Sequence, residues 1–506
     1  MKANLIYNGK KEMTIKAAFA ICLVLLTPLF SKADDKTDSI IDRSLTYFVE
    51  SRATFASGEH TPFWLVSNYQ GLGTPKKNNG WVRGSLNKYL NESSKFSWGA
   101  SIDLVGGWNI PAPFNIHQLY GEIKYRGFFV QAGAKEIWGL YNNPRLSSGN
   151  LLFSGNSMPI PQVRIGTFGF VPFWGTKEWF SVNAYLAYGK FTDSKWEKTW
   201  VNPEFQRGKG ILYNSRGLWL RGGNTRKFPL LVDIGIEMGT QFGGIIYKDG
   251  KVIHMPSKFI DWLKAIIPLS GGEDTPAEEQ TNVQGNMVGV YNIAVQWLPN
   301  SDWSIKGYFE HYFEDHSQMT FEYGWKDAQW GIEVTLPVNP FVSKVVAEYV
   351  YMKDQTGSVN HDWTPEIPEQ VSGGDNYYNH YLYSSWQNWG MGIGTPLAIS
   401  PLYNSDHRLY IYNTRFIAYH IGLAGNPLNC LDWRALFTYS ENWGTYRYPF
   451  PDVLNNFSGL IEVGYTPKGK LKGWYAKAAM AWDHGKLLGN NFGALISIGK
   501  TGLIAW

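Results

Sequence analysis

The chain has little cysteine, little charge and, beyond its N-terminal leader, no long apolar run. Two of its 506 residues are cysteine, Cys22 and Cys430. Cys22 lies in a segment expected to be removed, so no intrachain disulfide remains and a stapled extracellular scaffold is excluded. Cys430, in AGNPLNCLDW, reads as a strand-end or turn thiol, because no histidine or second cysteine adjoins it. Charged residues make up 17%, below the roughly 25% of ordinary soluble domains. Residues 1–33 hold five lysines and one glutamate, so without them the net charge of +4 falls to zero (4 − 5 + 1). No global field is left to attract nucleic acid.

Catalytic signatures are also missing. There is no H-E-x-x-H, C-x-x-C or G-x-S-x-G. Gly499-Lys500-Thr501 imitates the end of a phosphate-binding loop, but Ala494 stands where its first glycine is required. Glu310 and Glu314 lie four apart on one strand face, too far for an acid–base dyad. No enzyme, metal site or cofactor is expected.

Rings are what the chain has in plenty: aromatics reach 16%, with 23 Trp and 30 Tyr. Residues 17–30, AAFAICLVLLTPLF, follow Lys2, Lys10, Lys11 and Lys16 and precede Ser31-Lys32-Ala33. The run is too short to span a membrane, so residues 1–33 read as a signal peptide cleaved after Ala33, with Met13 as an alternative start. Residues 34–506 then form one domain.

That domain alternates with period two. Leu230, Val232, Ile234, Ile236, Met238, Thr240 and Phe242 share one face; Asp233, Glu237 and Gln241 share the other with glycines. Residues 180–188 and 431–440 repeat the pattern. About eighteen such segments are expected, from 46–56 to 491–506, with 387–397 among them and 163–172 as a possible extra. Their length, and rings at their ends (Trp98, Trp108, Trp179, Trp297, Trp303, Trp474, Trp482), favour an all-β transmembrane barrel of about 18 antiparallel strands over a soluble sandwich. The inward faces supply a luminal polar network: Asp233, Glu237, Glu310, Glu314, Glu348 and Arg164.

Two readings concern single segments. Lys500 falls in phase with lipid-facing Phe492, Ile496 and Ile498, which predicts a bulge between Gly499 and Gly502 that re-aims it. In QNWGMGIGTPL (387–397), Trp389, Met391 and Ile393 are expected to face lipid, and Gly390, Gly392 and Gly394 to form a bare inner stripe against which the lumen is filled.

Insertions interrupt the pattern at 138–162, 250–283 and 355–386. The first reads as an ordered loop. In the second, SKFIDWLKAIIP (257–268) spaces Phe259, Ile260, Trp262, Leu263, Ile266 and Ile267 as one helical face, a plug or cap across the mouth, followed by a solvated acidic loop with Glu273, Asp274, Glu278 and Glu279. The third is dense in rings and amides.

SGNSMPIPQVRIG (154–166), QGNMVGVYNI (284–293), GYFEHYFEDHSQMTF (307–321), DAQWGIEV (327–334), VVAEYVYMKDQTG (345–357) and NYYNHYLYSSWQNWGMGIGTPL (376–397) together resemble the capsule-assembly Wzi family. The resemblance implies an eighteen-stranded outer-membrane barrel, reached through the barrel-insertion machinery, that acts as a lectin in attaching capsular polysaccharide and is not an enzyme. Its candidate glycan contacts are Trp363, Tyr377, Tyr378, Asn379, His380 and Trp386, since sugar rings stack on aromatics and their hydroxyls bind amides. Helices obstruct the lumen in that family. Here Thr46 to Phe55 already alternate like a strand, so a plug is expected to be reduced or built elsewhere. The rival reading is a diffusion channel or transporter for small solutes.

Overall fold

A strand greasy on one face and polar on the other satisfies its backbone in hydrocarbon only if the sheet closes on itself. The computed structural model describes residues 44–173, 175–266, 285–300, 302–314, 325–355 and 375–505, and in them the sheet does close. Nineteen segments form it; the two-residue piece Val171–Pro172 only prolongs the sixth, which leaves eighteen wall strands. They are β1 Ser44–Ser57, β2 Asn79–Lys88, β3 Phe96–Trp108, β4 Phe114–Tyr125, β5 Phe128–Ala134, β6 Gln162–Thr167, β7 Phe180–Lys190, β8 Leu212–Gly222 and β9 Leu230–Phe242. The second half comprises β10 Asn286–Trp297, β11 Ser304–Glu314, β12 Ala328–Thr335, β13 Lys344–Tyr351, β14 Arg415–Leu428, β15 Leu431–Gly444, β16 Pro449–Tyr465, β17 Trp474–Gly485 and β18 Asn491–Ala505. Neighbours pair antiparallel, and β18 returns to β1 with Ser44 opposite Ala505 and Ser57 opposite Phe492. The signal-peptide reading lies outside the described residues.

The strand count agrees with expectation through one exchange. Segment 387–397 is not a wall strand, and 162–167 is. Trp389 and Gly390 both have positive φ (55° and 77°), the backbone of a two-residue hairpin turn, and they fold Gln387 back onto Gly392 and Asn388 onto Met391. Met391 and Ile393 are therefore buried inside the barrel and do not face lipid.

Outside, the wall carries an apolar belt that includes Ile116, Ile123, Ile234, Met480, Ile496 and Ile498, all exposed. Phe96, Tyr125 and Phe128 sit side by side at one rim, in register across β3, β4 and β5. An exposed apolar surface of this extent, edged by rings, demands a membrane. The expected bulge at Lys500 is absent: Gly499, Lys500 and Gly502 pair regularly with Glu50, Val49 and Tyr47. Lys500 lies opposite Trp474, the first residue of β17, with its ammonium 5.3 Å from that ring. It sits at the rim, where a lysine reaches the polar interface at little cost and needs no re-aiming.

Long connections gather at one rim: residues 58–78, 135–161, 191–211, 243–285 and 352–414. The other rim has short ones, such as 126–127 and 429–430. Long loops mark the outer side of such barrels. Cys430 lies in one of the short inner turns.

Three of the long loops enter the lumen. Residues 58–78 carry the buried helix α1 (Phe63–Val66), whose Trp64 donates from Nε1 to Thr438 Oγ1 on the wall (3.2 Å). Residues 135–161 descend furthest. Arg145 pairs with Asp432 at 2.7 Å, and Lys306 Nζ donates to the Tyr141 carbonyl at 2.6 Å; both wall partners lie near the inner rim. Residues 375–414 pack above them. Phe63, Leu65, Leu151, Leu152, Tyr378, Trp386 and Ile411 join one hydrophobic cluster with wall residues such as Val290 and Phe416. The plug is built from outer loops.

Helix α2 (Ser194–Trp200) lies in the 191–211 loop, and α3 (Phe259–Lys264) in the 243–285 loop. The expected cap across the mouth is not where α3 sits. Its Trp262 packs against Tyr188 and Phe242 (4.9 and 5.7 Å), and Thr240 Oγ1 donates to the Ala265 carbonyl. Tyr188 is in phase with exposed Phe180, and Thr240 with exposed Ile234, so α3 docks on the outer wall. With the lumen filled, the exposed Phe259, Ile260 and Leu263 extend the apolar belt instead. The acidic loop after it lies outside the described residues.

Candidate functional site

Inward-facing carboxylates hold the plug. Glu348 on β13 accepts from Ser147 Oγ (2.5 Å), Ser148 N (2.7 Å) and Ser148 Oγ (2.6 Å), and from the Tyr308 hydroxyl. Glu310 on β11 accepts from Asn150 Nδ2 (2.6 Å) and Leu151 N (3.1 Å). Glu314 accepts from Tyr378 N (2.5 Å) and Tyr312 Oη (2.6 Å). Each carboxylate thus satisfies loop or ring donors that would otherwise be buried unpaired. Glu237 accepts from Tyr185 Oη, Arg164 lies 3.5 Å from the centroid of that same ring, and Asp233 forms a two-pronged bond with Arg221. All six residues of the expected luminal network point inward.

Close approach also needs missing side chains. A Cβ on Gly422 of β14 would lie 2.2 Å from the Leu146 carbonyl oxygen, which accepts from His420 Nε2 at 2.7 Å. A Cβ on Gly394 would meet the Leu151 carbonyl at 2.4 Å. The bare positions thus lie partly on the wall, at Gly422, and partly on the plug, at Gly394. Gly422→Ala is expected to cost about 2 kcal/mol through overpacking, read as a lower thermal midpoint of the purified barrel.

The rings proposed from sequence as glycan contacts have another task. Tyr377, Tyr378 and Trp386 are essentially inaccessible, and Asn379 is buried. Trp386 donates from Nε1 to the Leu152 carbonyl (3.1 Å) and stacks near Tyr213 and Phe153; the Tyr378 hydroxyl donates to the Leu151 carbonyl (2.7 Å). Asn379 exchanges bonds with both Ile411 backbone groups. His380 accepts at Nδ1 from Leu382 N and Tyr383 N, and burial, with Lys248 nearby, pushes its pKa down to about 3. These side chains lock the described part of the insertion into the barrel, and Tyr377, Tyr378 and Trp386 leave no open ring face for a sugar. Trp363 lies outside the described residues.

Rings are displayed elsewhere, on the outer rim. Trp196 and Trp200 are four apart in α2, so they share a helical face, with centroids 5.0 Å apart and planes within 17°. Trp389, at the tip of its tight hairpin, extends the row on one side, 6.0 Å from Trp196. His407 extends it on the other, 4.9 Å from Trp200 and 15° from parallel. All four are at least partly exposed. Trp389 and His407 hold positive φ (55° and 56°), a conformation that costs about 1–3 kcal/mol and persists only where the surroundings fix it.

What fixes it lies beneath. Asp193 Oδ2 accepts from Trp389 N (3.1 Å) and Gln387 Nε2; Glu197 accepts from Gln387 Nε2 (3.1 Å) and Gly208 N (2.7 Å). Both acids are buried. Burial pushes the Asp193 carboxyl up to about 6, and burial together with the neighbouring Asp193 charge pushes Glu197 well above its ordinary value. Thr192 accepts from Trp389 Nε1 (3.3 Å), and Lys195, Thr199 and Asp406 are chain neighbours of Trp196, Trp200 and His407: a cation, a hydroxyl and a carboxylate. Flat rings bordered by such groups can take the apolar face of a sugar and bind its hydroxyls.

No protein-family model matches the chain, and no curated protein matches it. Among solved structures the fold is similar to Wzi of Escherichia coli, described as an outer membrane protein involved in group 1 capsule assembly and a carbohydrate-binding β-barrel. The TM-score is 0.55 at 11% identity, covering 92% of this chain and 86% of that one. OccK5 (OpdH) of Pseudomonas aeruginosa gives a TM-score of 0.47 at 9% identity, covering 92% and 99%, and OprD of the same organism gives 0.45 at 10%, covering 95% and 100%. At these identities the likeness concerns the fold: a closed, eighteen-stranded barrel of outer-membrane type.

Sequence reasoning missed the rim row. Trp196-x-x-x-Trp200 in SKWEKTW is an i, i+4 pair and was a readable signal. Nothing in the sequence says that Trp389 and His407, so far away in the chain, complete it.

Proposed function

We propose that this barrel sits in the outer membrane and binds surface polysaccharide at its outer mouth, without turnover, as a step in attaching that polysaccharide to the cell. The observation that carries this reading is the row Trp389–Trp196–Trp200–His407. It is a continuous, half-exposed aromatic strip raised on a rigid support. The packed plug supports binding at the mouth over passage of solutes, because outer loops fill the lumen where a diffusion channel keeps water. The similarity in fold to Wzi, itself a carbohydrate-binding barrel, agrees with it. The apolar belt then faces outer-membrane lipid, and the chain reaches it after export and through the barrel-insertion machinery.

The test is the amount of polysaccharide retained on cells against that shed to the medium, in a strain carrying Trp196→Ala with Trp200→Ala. Retention is expected to fall several-fold while the amount of folded barrel stays constant, because both rings are half-exposed on α2 and lie outside the hydrophobic cluster that seats the plug. Unchanged retention would overturn the assignment of the row.

A further inference from the structure

Between the plug and the wall the lumen keeps a cavity of about 270 Å³. That is just below the roughly 300–1,000 Å³ of small-molecule sites. Its wall contributes Glu50, Arg52, Arg83, Arg434, Glu462 and Lys477; the plug contributes Tyr69, Gln70, Trp138 and Arg145. Lys477 is three residues from the inner end of β17 and Trp81 is the third residue from the outer end of β2, so the chamber runs obliquely along this side of the bore.

Most of its charges are already used. Arg434 holds Glu462 with two bonds (2.9 and 3.1 Å), Arg83 holds Asp103 and Glu136, and Arg145 holds Asp432. Two cations are left over. Arg52 is buried; one terminal nitrogen donates to the Leu65 carbonyl (2.7 Å) and its Nε has no partner. Its guanidinium carbon lies 3.9 Å from the Tyr69 ring centroid and 5.8 Å from that of Trp81, and it touches no carboxylate in an ion pair. Lys477 points into the lumen, is exposed there, and forms no ion pair among the described residues. Arg52 lines the chamber with only one terminal nitrogen committed to the protein, and a ligand carboxylate would take the guanidinium donors that remain. Tyr69 and Trp138, both half-buried, supply ring surface beside it, and Glu50 and Gln70 supply polar groups for hydroxyls.

We infer that this chamber is a second binding site, for a small acidic sugar: a pyranose whose carboxylate meets Arg52 and Lys477 while its ring lies against Tyr69 and Trp138. The site differs from the rim row in place, in charge and in size. It holds one sugar unit where the row holds a chain, and it stands on its own residues whether or not the row binds polysaccharide.

Calorimetric titration of the full-length barrel in detergent with D-glucuronate tests it, with glucose, acetate and inorganic phosphate as controls. Saturable binding of one glucuronate per barrel is expected, at least tenfold tighter than glucose or either simple anion. Lys477→Glu should weaken it tenfold or more in a barrel that remains folded by circular dichroism. Lys477→Met should weaken it less, and Trp200→Ala not at all. Absence of saturable glucuronate binding, equal binding of glucose, equal binding of acetate or phosphate, or indifference to Lys477→Glu would each overturn the proposal. Loss of polysaccharide retention in the rim variant with chamber binding intact would separate the two sites.

Discussion

Glu348→Ala should release the plug. In the native barrel the two carboxylate oxygens take four buried donors, three of them from Ser147 and Ser148 of the loop that runs down through the lumen. Truncation removes every acceptor at once. Each buried donor left unpaired costs about 1–3 kcal/mol, and because the four share one site the total is expected near 3–5 kcal/mol rather than their sum. Residues 138–161 then lose their upper anchor, keeping Glu310 and the contacts at the inner rim. Two measurements follow: a fall in the thermal midpoint of the barrel, and a several-fold rise in ion conductance across a planar bilayer. Ser147→Ala removes one donor and leaves the carboxylate, so about 1 kcal/mol and no added conductance are expected from it. If Glu348→Ala conducts no more than the native protein, the carboxylate is not what keeps the loop in place.

The second large effect is on pH. Asp193 and Glu197 both have pKa values raised in the fold, Asp193 to about 6 and Glu197 well above its ordinary value, chiefly through burial. An acid whose pKa is higher folded than unfolded binds more protons in the folded state between the two values, so stability falls as pH rises through that window. Support for the rim row is therefore greatest below about pH 4 and declines as pH rises through 6 and beyond, as the pair ionises. Hydrogen exchange at the α2 amides between pH 5 and pH 8, corrected for intrinsic rates, should lose protection by about one order of magnitude or more. Glu197→Gln removes the steeper member and should flatten the profile while keeping the bond to Gln387. A native profile that is already flat would show that the pair does not govern the rim.

The wall was legible because each of its strands announces itself locally. In 230–242 the alternation of Val232, Ile234 and Ile236 with Asp233, Gly235 and Glu237 needs no partner to be read. Segment 387–397 imitates that alternation, and only its backbone angles reveal a hairpin; β6, six residues long, is too short to compete with it. Inward direction was legible by the same parity, which is why Glu310, Glu348 and Arg164 could be placed in the lumen from sequence. Their loop partners could not, since Ser147 and Glu348 are two hundred residues apart and no local pattern links them. For the same reason Tyr377, Tyr378 and Trp386 read equally well as displayed or buried. A ring-rich loop inside a barrel and one above it have the same composition.

The 135–161 loop leaves the wall at the outer rim and is fastened at the inner one, with Arg145 on Asp432 and the Tyr141 carbonyl on Lys306. It behaves as a tether strung along the bore. A pull on the 375–414 segment, which is bonded to this loop through Trp386 and Tyr378, would be carried down the bore to the far opening and shared among several wall strands before one outer loop could peel away.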